Sequence, residues 1–198
     1  MSKYPERELG EIAEVFVGVA RHGRGLSWDE NNPTAPLLGM KALRQQGIDF
    51  NAIEIVHLSP RTNLENYRIA AHDLLLPCRG TDLRIIVAPE KAGGVLIDSN
   101  IMAIRCGPLM AHQLLAAYFQ HSAGQAALLR ASQSTTSQKN LTVRLVKKMA
   151  IPVPPPEAQQ KAVAVLEAAE RQHQLALQVA EKRLTLARHA AINMLVAE

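Results

Sequence analysis

The feature that most constrains the fold is a proline cluster that precedes the last part of the chain. The stretch "IPVPPPEAQQ" places prolines at positions 152, 154, 155 and 156. A proline has no backbone donor and disfavours helical geometry in the residue before it, so this stretch is extended and a helix begins only near Pro156. From there to about Val196 no Gly or Pro occurs, and strong helix formers dominate. The sequence therefore predicts two parts, residues 1–152 and residues 153–198, the second being a helix of about 40 residues and about 60 Å.

The predicted helix carries a seam of residues at alternating steps of three and four. Eight of its ten positions are apolar, and Glu170 and His173 are the exceptions. The apolar seam residues are Val163, Leu166, Leu177, Ala180, Leu184, Ala187, Ala191 and Met194. A helix folded back on its own domain would explain this pattern, and so would one half of a coiled coil with another chain. Because the sequence indicates no second long helix and soluble monomers rarely expose such a stripe, we expect a homodimer.

Residues 1–150 show a different pattern, in which short apolar runs are separated by turn-forming residues. Strand-like runs occur in "FNAIEIVHLS", "NYRIAAHDLLLPCRG", "DLRIIVAPE" and "GGVLIDSNIMAIRCG". We expect them to form strands of one sheet or barrel. Residues 108–130 change to a helical period, which predicts a helix that starts near Pro108 and is interrupted or ends near Gly124, followed by a second short helix. The expected fold class is an α/β domain with a β-sheet core.

Motif content argues against several classes of enzyme. The sequence contains no phosphate-binding loop, dinucleotide-binding glycine motif, zinc-protease motif or serine-hydrolase motif. The pair His72-Asp73 has no second His/Asp cluster to complete a metal site, and a turn is the better explanation. We therefore expect no catalytic residue, no metal and no cofactor. Two isolated cysteines, a charged N-terminus and the lack of a long apolar run are typical of a cytoplasmic protein without a membrane segment.

Three polar loops with basic residues are the candidate binding segments in a chain of net charge +4. Arg, Lys, Gln and Asn pair with base edges, and Ser, Thr and Lys contact phosphates. The candidates for DNA contact are Arg21 and Arg24 in "RHGRG", Arg79, Thr81 and Arg84 in "PCRGTDLR", and Gln133, Ser134, Thr135, Thr136, Gln138, Lys139 and Asn140 in "SQSTTSQKN". A solvated surface loop is the alternative explanation for each of these residues.

Four segments together resemble one half of a type I restriction-modification specificity subunit. They are "LGEIAEVFVGV", "YRIAAHDLLLPCRG", "GVLIDSNIMAIRC" and the junction "IPVPPPEAQQKAV". The resemblance implies an α/β target-recognition domain that reads one half of a bipartite DNA sequence, followed by a spacer helix that packs antiparallel against a second one. It also implies a subunit that does no chemistry itself and assembles with methyltransferase subunits and a restriction motor subunit.

The resemblance also bears on individual residues. The segment "LLLPCRGTDLR" matches a family segment, which makes Arg79 and Arg84 candidate DNA contacts, and the family has Gly-Asp where this chain has His72-Asp73. The family often has Gly-Ser in the polar segment before the junction, and this chain lacks it. Family members carry two recognition domains and two spacer helices, whereas this chain has one of each. That is expected of a natural half-subunit that dimerises, and equally of a truncated chain.

We therefore expect the specificity component of a modification or restriction complex, with DNA bound by residues 1–152 and dimerisation through residues 153–198. Antiparallel pairing of the helices would hold two half-sites, arranged as inverted repeats, up to about 17 base pairs apart. The alternative from another class is an assembly or scaffold protein whose long helix docks a protein partner. The sequence does not specify which bases are read.

Overall fold

The computed structural model describes residues 3–21, 25–27, 29–45, 47–60, 63–79, 83–134 and 139–196, and only the backbone of residues 133, 134 and 139. The chain divides into two compact units, Met1–Pro155 and Pro156–Glu198. The strands β1 to β14 of the first unit are Glu6–Glu8, Ala13–Val17, Leu26–Ser27, Thr34–Leu38, Leu43–Arg44, Gly47–Ile48, Glu54–Leu58, Leu74–Pro77, Ile86–Val87, Leu96–Ile97, Ile101–Cys106, Gln133–Ser134, Lys139–Asn140 and Ala150–Pro152. The helices are α1 (Leu9–Ile12), α2 (His112–Gln120), α3 (Ser122–Ala131), α4 (Val143–Lys147) and, in the second unit, α5 (Pro156–Val196).

Most of the described strands belong to two four-stranded sheets. The first sheet has the strand order β10-β4-β7-β3 and the second has the order β2-β11-β8-β9. All neighbours are antiparallel except β10 and β4, which are parallel. The mixed α/β fold is confirmed, but the strands divide between two sheets and do not form the one sheet or barrel that the sequence predicted. Strand-like runs show where strands form, whereas the pairing of β7 and β10 in one sheet and of β8, β9 and β11 in the other depends on contacts distant in sequence.

The second sheet is buried on both faces, which explains why β8 and the first four residues of β11 are continuous apolar runs. Successive side chains of a strand point to opposite faces. Leu74 and Leu76 of β8 therefore join one buried cluster, in which Phe119 of α2 and Leu128 of α3 also lie. Leu75 joins a different cluster on the other face. The helices α2, α3 and α4 thus cover one face of this sheet.

Gly18 lies where the chain passes from the second sheet to the first. Its N–H donates to the carbonyl of Ile101 at 3.2 Å, and the N–H of Val19 donates to the carbonyl of Ile97 at 2.8 Å. A Cβ atom at position 18 would lie 1.9 Å from the carbonyl oxygen of Ile97. A side chain at this position would force the backbone of the two sheets apart.

The segment with helical period forms two helices, as predicted, but the break lies at His121 and not near Gly124. His121 ends α2 and caps α3, since its ring nitrogen accepts from the N–H of Ala123 at 3.2 Å. Gly124 lies inside α3, where a Cβ would be 2.1 Å from the carbonyl oxygen of Tyr118. This glycine therefore permits a close contact between two helices and does not end one. The first helix begins four residues after Pro108.

The second unit is the 41-residue helix α5, which confirms the predicted long C-terminal helix. Pro156 is its first residue, where the missing N–H costs nothing, and Glu157 lies in the first turn, where a carboxylate meets the positive end of the helix dipole. The seam residues Leu177, Ala180, Leu184, Ala187 and Met194 are exposed, and Val163 and Leu166 are half-buried. Within the described residues, no helix combines the length and the apolarity that crossing a membrane requires.

Candidate nucleic-acid interface

The structure brings two of the three candidate loops together. Arg79 and Asn140 form an isolated antiparallel β-bridge, so the loop after β8 pairs with the end of the β12–β13 hairpin. The N–H of Leu141 donates to the carbonyl of Cys78 at 2.9 Å beside this bridge. Arg79 and Asn140 are both exposed. Two residues that are 61 positions apart in sequence therefore present their side chains from one place on the surface.

A short turn before β11 hydrogen-bonds to the strand end that carries Arg79. The N–H of Cys78 donates to the carbonyl of Asn100 at 2.8 Å. The turn itself is closed by Asp98, a buried carboxylate that accepts from the N–H of Asn100 at 2.8 Å. A cleft of about 490 Å³ opens next to the bridge, and it is lined by Val17, Cys78, Arg79, Ser99, Asn140, Leu141, Thr142 and Val143. Backbone hydrogen bonds to the core thus hold Arg79 and Asn140 in place.

Arg21 has a different environment from Arg79. Its guanidinium forms ion pairs with Glu54 and, at 3.4 Å, with the buried Asp98. The hydrogen bond to Glu54 is the main cause that raises the pKa of Arg21 above its ordinary value. A Cβ at Gly39 would lie 2.6 Å from the Arg21 guanidinium, so the glycine makes room for it. Two carboxylates already balance this cation, and a contact of Arg21 with DNA stays a prediction.

The other candidate residues divide into three groups. Arg84 is half-buried and lies between Leu83 and Ile85, which are both part of the core. Gln133, Ser134 and Lys139 belong to the β12–β13 ladder, in which Gln133 pairs with Asn140 and Ser134 with Lys139. Five candidates lie outside the described residues: Arg24, Thr81, Thr135, Thr136 and Gln138.

His72-Asp73 forms a turn, as predicted, and the buried Asp73 carboxylate also forms an ion pair with the half-buried Arg105. His72 has a φ of 69°, which is a backbone conformation that favours glycine, the residue that the resemblance places there. The Asp73 carboxylate accepts from the N–H of Ala70 at 2.7 Å and from Arg105 at 3.0 and 2.8 Å. The ring of His72 stacks on that of His112 at 4.4 Å. This cluster joins the turn before β8 to β11 and to the start of α2.

The described residues show no arrangement that could hold a metal ion, since no three His, Cys, Asp or Glu side chains come together among them. Burial raises the pKa of Cys78 to about 12 and that of Cys106 to about 11. Both thiols are therefore protonated at neutral pH and are poor nucleophiles.

The positive charge of the chain is concentrated in one segment that extends beyond the predicted polar loops. Residues 99–156 contain six Lys or Arg and no Asp or Glu, so this segment carries +6 and the rest of the chain −2 of the net +4. Four exposed cations of the segment were not among the candidates: Arg130 in the last turn of α3, Arg144 and Lys147 in α4, and Lys148 just after it. A count of charge along the chain would have found this acid-free segment. It includes Asn140 and the whole hairpin.

Residues 1–182 match the family described as type I restriction modification DNA specificity domain. Three solved structures have a similar fold. The first comes from work on complex assembly and conformational transition of the type I R-M system. It has 18% identity and a TM-score of 0.62, with coverage of 98% of this chain and 44% of that chain. The HsdS subunit from Thermoanaerobacter tengcongensis has 17% identity and a TM-score of 0.58, with coverage of 85% of this chain and 38% of that chain. The type I restriction-modification S subunit from M. genitalium has 9% identity and a TM-score of 0.58, with coverage of 96% of this chain and 45% of that chain.

This chain spans less than half the length of each of these three proteins. No curated protein matches it significantly. The family match covers 182 of its 198 residues and agrees with the resemblance of its sequence motifs. The chain therefore belongs to the family of type I restriction modification DNA specificity domains.

Proposed function

We propose that this chain is a sequence-specific DNA-binding subunit of a type I restriction-modification system and that it reads one half of a bipartite target. The family match over residues 1–182 carries the proposal. The bridge between Arg79 and Asn140 supports it, because it unites two loops that have base-reading side chains. Arg84 and the remaining candidate residues are proposed as further DNA contacts.

The acid-free segment supplies the contacts to the DNA backbone. Phosphate contacts position a protein on DNA and provide much of its affinity, whereas base contacts provide specificity. Arg130 precedes the β12–β13 hairpin in sequence, and Arg144 follows it. No ion pair joins Arg130, Arg144, Lys147 or Lys148 to another described residue. Their charge is therefore available to phosphates, in contrast to that of Arg21.

The helix α5 pairs antiparallel with a second copy of itself. Residues 157–176 carry three carboxylates and two Lys or Arg, a net of −1, and residues 177–196 carry one carboxylate and three Lys or Arg, a net of +2. An antiparallel arrangement places the acidic half of each helix against the basic half of the other. Two-fold pairing buries the exposed apolar seam on both copies at once.

The seam fits one register in which every position has a partner. In this register Leu177 faces the partner's Ala180, Leu166 faces the partner's Ala191, and Leu184 faces the partner's His173. Val163 then faces the partner's Met194, and Glu170 the partner's Ala187. Large side chains lie opposite smaller ones in the central layers, which is the complementarity that close packing requires. The flanking positions bring Glu167 beside the partner's Arg188, and the two-fold axis repeats this contact at the other end of the pair.

Parallel pairing of the same seam is less favourable. In a parallel coiled coil, the residue just before each position a of the heptad contacts the residue five positions later on the partner helix. Leu184 is at such a position in this seam. Arg183 would then lie beside the partner's Arg188 on both sides, and like charges in contact are destabilising. The antiparallel pair also holds two recognition domains apart, with half-site centres up to about 17 base pairs from each other by helix rise.

The proposed assembly includes subunits that carry out the chemistry. We infer a non-catalytic role for this chain in the cytoplasm, with methyltransferase subunits and, where the complex cuts DNA, a restriction motor subunit. One of the similar structures concerns complex assembly of the type I R-M system. The scaffold alternative has no comparable support, because the family description names DNA specificity.

Binding to duplex DNA at increasing salt tests the proposal against the scaffold alternative. Each phosphate that a cation neutralises contributes about −0.9 to the slope of log affinity against log salt. We expect a slope of about −4 or steeper from four or more phosphate contacts. No affinity for DNA, or an affinity that does not change between about 50 and 200 mM salt, would support the scaffold alternative instead.

A further inference from the structure

We propose that Arg79 and Asn140 form a single reading pair that specifies two neighbouring base pairs, a G·C next to an A·T. This inference rests on the proposed function and names the bases that one part of the proposed surface recognises. The two residues come from different loops and lie opposite each other in an antiparallel β-bridge.

Residues that lie opposite each other in an antiparallel bridge project their side chains to the same face. Their Cβ atoms are about 4.5–5.5 Å apart. Successive base pairs in a DNA strand are about 3.4 Å apart. Two side chains at this separation can each reach one base edge of neighbouring pairs, and they are too close to serve pairs several steps apart. The bridge thus sets the spacing of the two contacts.

The chemistry of the two side chains assigns the bases. An Arg guanidinium donates two hydrogen bonds to O6 and N7 of guanine, and an Asn amide accepts from N6 and donates to N7 of adenine. The side chains of Arg79 and Asn140 are exposed. No ion pair joins Arg79 to another described residue, whereas Arg21 and Arg105 are bound to buried carboxylates. The Arg79 guanidinium is therefore available to a base edge, and its place in the bridge sets it beside Asn140.

The backbone next to both Arg79 and Asn140 is fixed by buried neighbours. Cys78, directly before Arg79, is buried, donates to the carbonyl of Asn100 and accepts from the N–H of Leu141. Leu141, directly after Asn140, is also buried. Each reading side chain is thus adjacent to a residue fixed in the core. A base contact made from a fixed backbone discriminates better than one from an adaptable loop, because the wrong base leaves the side chain unpaired.

Selection of bound duplexes from a random pool tests this inference with the full chain and its variants. We expect Arg79→Ala to relax one G·C position of the selected motif and Asn140→Ala to relax the adjacent A·T position. Each loss on the original motif should be about 5- to 140-fold in affinity. Arg79→Lys should keep the charge and the salt slope but lose the preference for guanine, because an ammonium cannot form the two-donor contact. Arg44→Ala, which removes an exposed cation paired with Asp49, is the matched control and should leave the motif unchanged.

The outcomes separate this inference from the function on which it rests. If the unmodified chain selects no motif, the DNA-recognition proposal fails, and the reading pair fails with it. If it selects a motif that Arg79→Ala and Asn140→Ala do not change, recognition stands and the reading pair is wrong. Relaxed positions two or more base pairs apart would also overturn it. Because both side chains are exposed, we expect the variants to fold, and Arg79→Lys and Asn140→Ser give a second, milder pair if an alanine variant does not.

Discussion

The two units of this chain place their apolar side chains in opposite environments. In the first unit most of the large ones are buried, many of them in clusters on the two faces of the second sheet, with Phe119 and Leu75 as examples. In the helix α5, Leu177, Leu184 and Met194 are exposed. The first unit therefore contains the groups that stabilise it, whereas α5 has an apolar seam that only another surface can bury. Changes in the first unit should alter folding, and changes in the seam should alter association.

The strongest test of this contrast is the double substitution Leu177→Glu/Leu184→Glu. Burial of each leucine contributes about 1.5–3 kcal/mol, and a dimer loses four of them. We expect a dimer at tens of micromolar to become a monomer, while the unfolding midpoint of the first unit stays the same. Light scattering gives the mass, and circular dichroism gives the unfolding transition.

The matched control places the same charges elsewhere on the helix. Leu175 and Leu186 are as exposed as the seam leucines, but they lie outside the seam. Leu175→Glu/Leu186→Glu should leave the mass unchanged. A monomer mass for the unmodified chain at tens of micromolar, with no partner present, would count against the homodimer.

The complementary test in the first unit is Arg105→Ala. It removes the partner of Asp73, whose side chain is 1% exposed, and leaves a buried carboxylate without its cation. Loss of one partner of a fully buried pair costs about 3–5 kcal/mol. Because Arg105 itself is 37% exposed, solvent screens this pair and we expect a smaller loss, of about 2 kcal/mol. Urea denaturation should show this loss without a change in mass. Arg44→Ala breaks an exposed pair and should cost less than about 1 kcal/mol; equal costs for the two would refute the role assigned to Arg105.

A charge exchange tests the direction of pairing in α5. Glu167→Arg and Arg188→Glu should each weaken the dimer, because each replaces two attractive pairs with two repulsive ones at about 1 kcal/mol per pair. Mixing the two variants, or combining both changes in one chain, should restore association. Sedimentation equilibrium measures the dimer affinity. If neither combination restores it, the antiparallel register is wrong.

The smallest expected effect concerns the acid-free segment. Arg130→Gln/Arg144→Gln should reduce the salt slope by about two units and weaken binding to every duplex by the same factor, since phosphates carry no sequence information. The selected motif should not change. Lys41→Gln/Lys91→Gln removes the same charge from exposed positions outside the segment and should not alter the slope. A changed motif in the first variant would mean that these arginines contact bases.

The parts of the structure that the sequence predicted are those with a local cause. Pro156 and the absence of Gly and Pro after it determine where α5 begins and how far it extends. The division of strands between two sheets was not predicted, because an apolar run such as "DLRIIVAPE" is equally compatible with either sheet. Gly124 was assigned to a helix end, although the reason for this glycine is a contact with the backbone of Tyr118 in another helix.

The candidate site shows the same limit. Arg21 and Arg79 look alike in sequence, since both lie in glycine-containing polar loops. Only the fold brings Glu54 and Asp98 to Arg21 and places Asn140 beside Arg79. The acid-free segment, by contrast, is visible in the sequence and needed only a count of charges along the chain.

Selection of duplexes by the unmodified chain from a random pool tests the central claim, sequence-specific recognition of DNA, most directly. We expect an enriched motif made of two inverted half-sites at one fixed spacing, with a G·C next to an A·T in each half. The selected duplex should bind at least about 1,000-fold more tightly than a shuffled duplex at the same salt concentration. A pool without enrichment, or equal affinity for selected and shuffled duplexes, would contradict the claim.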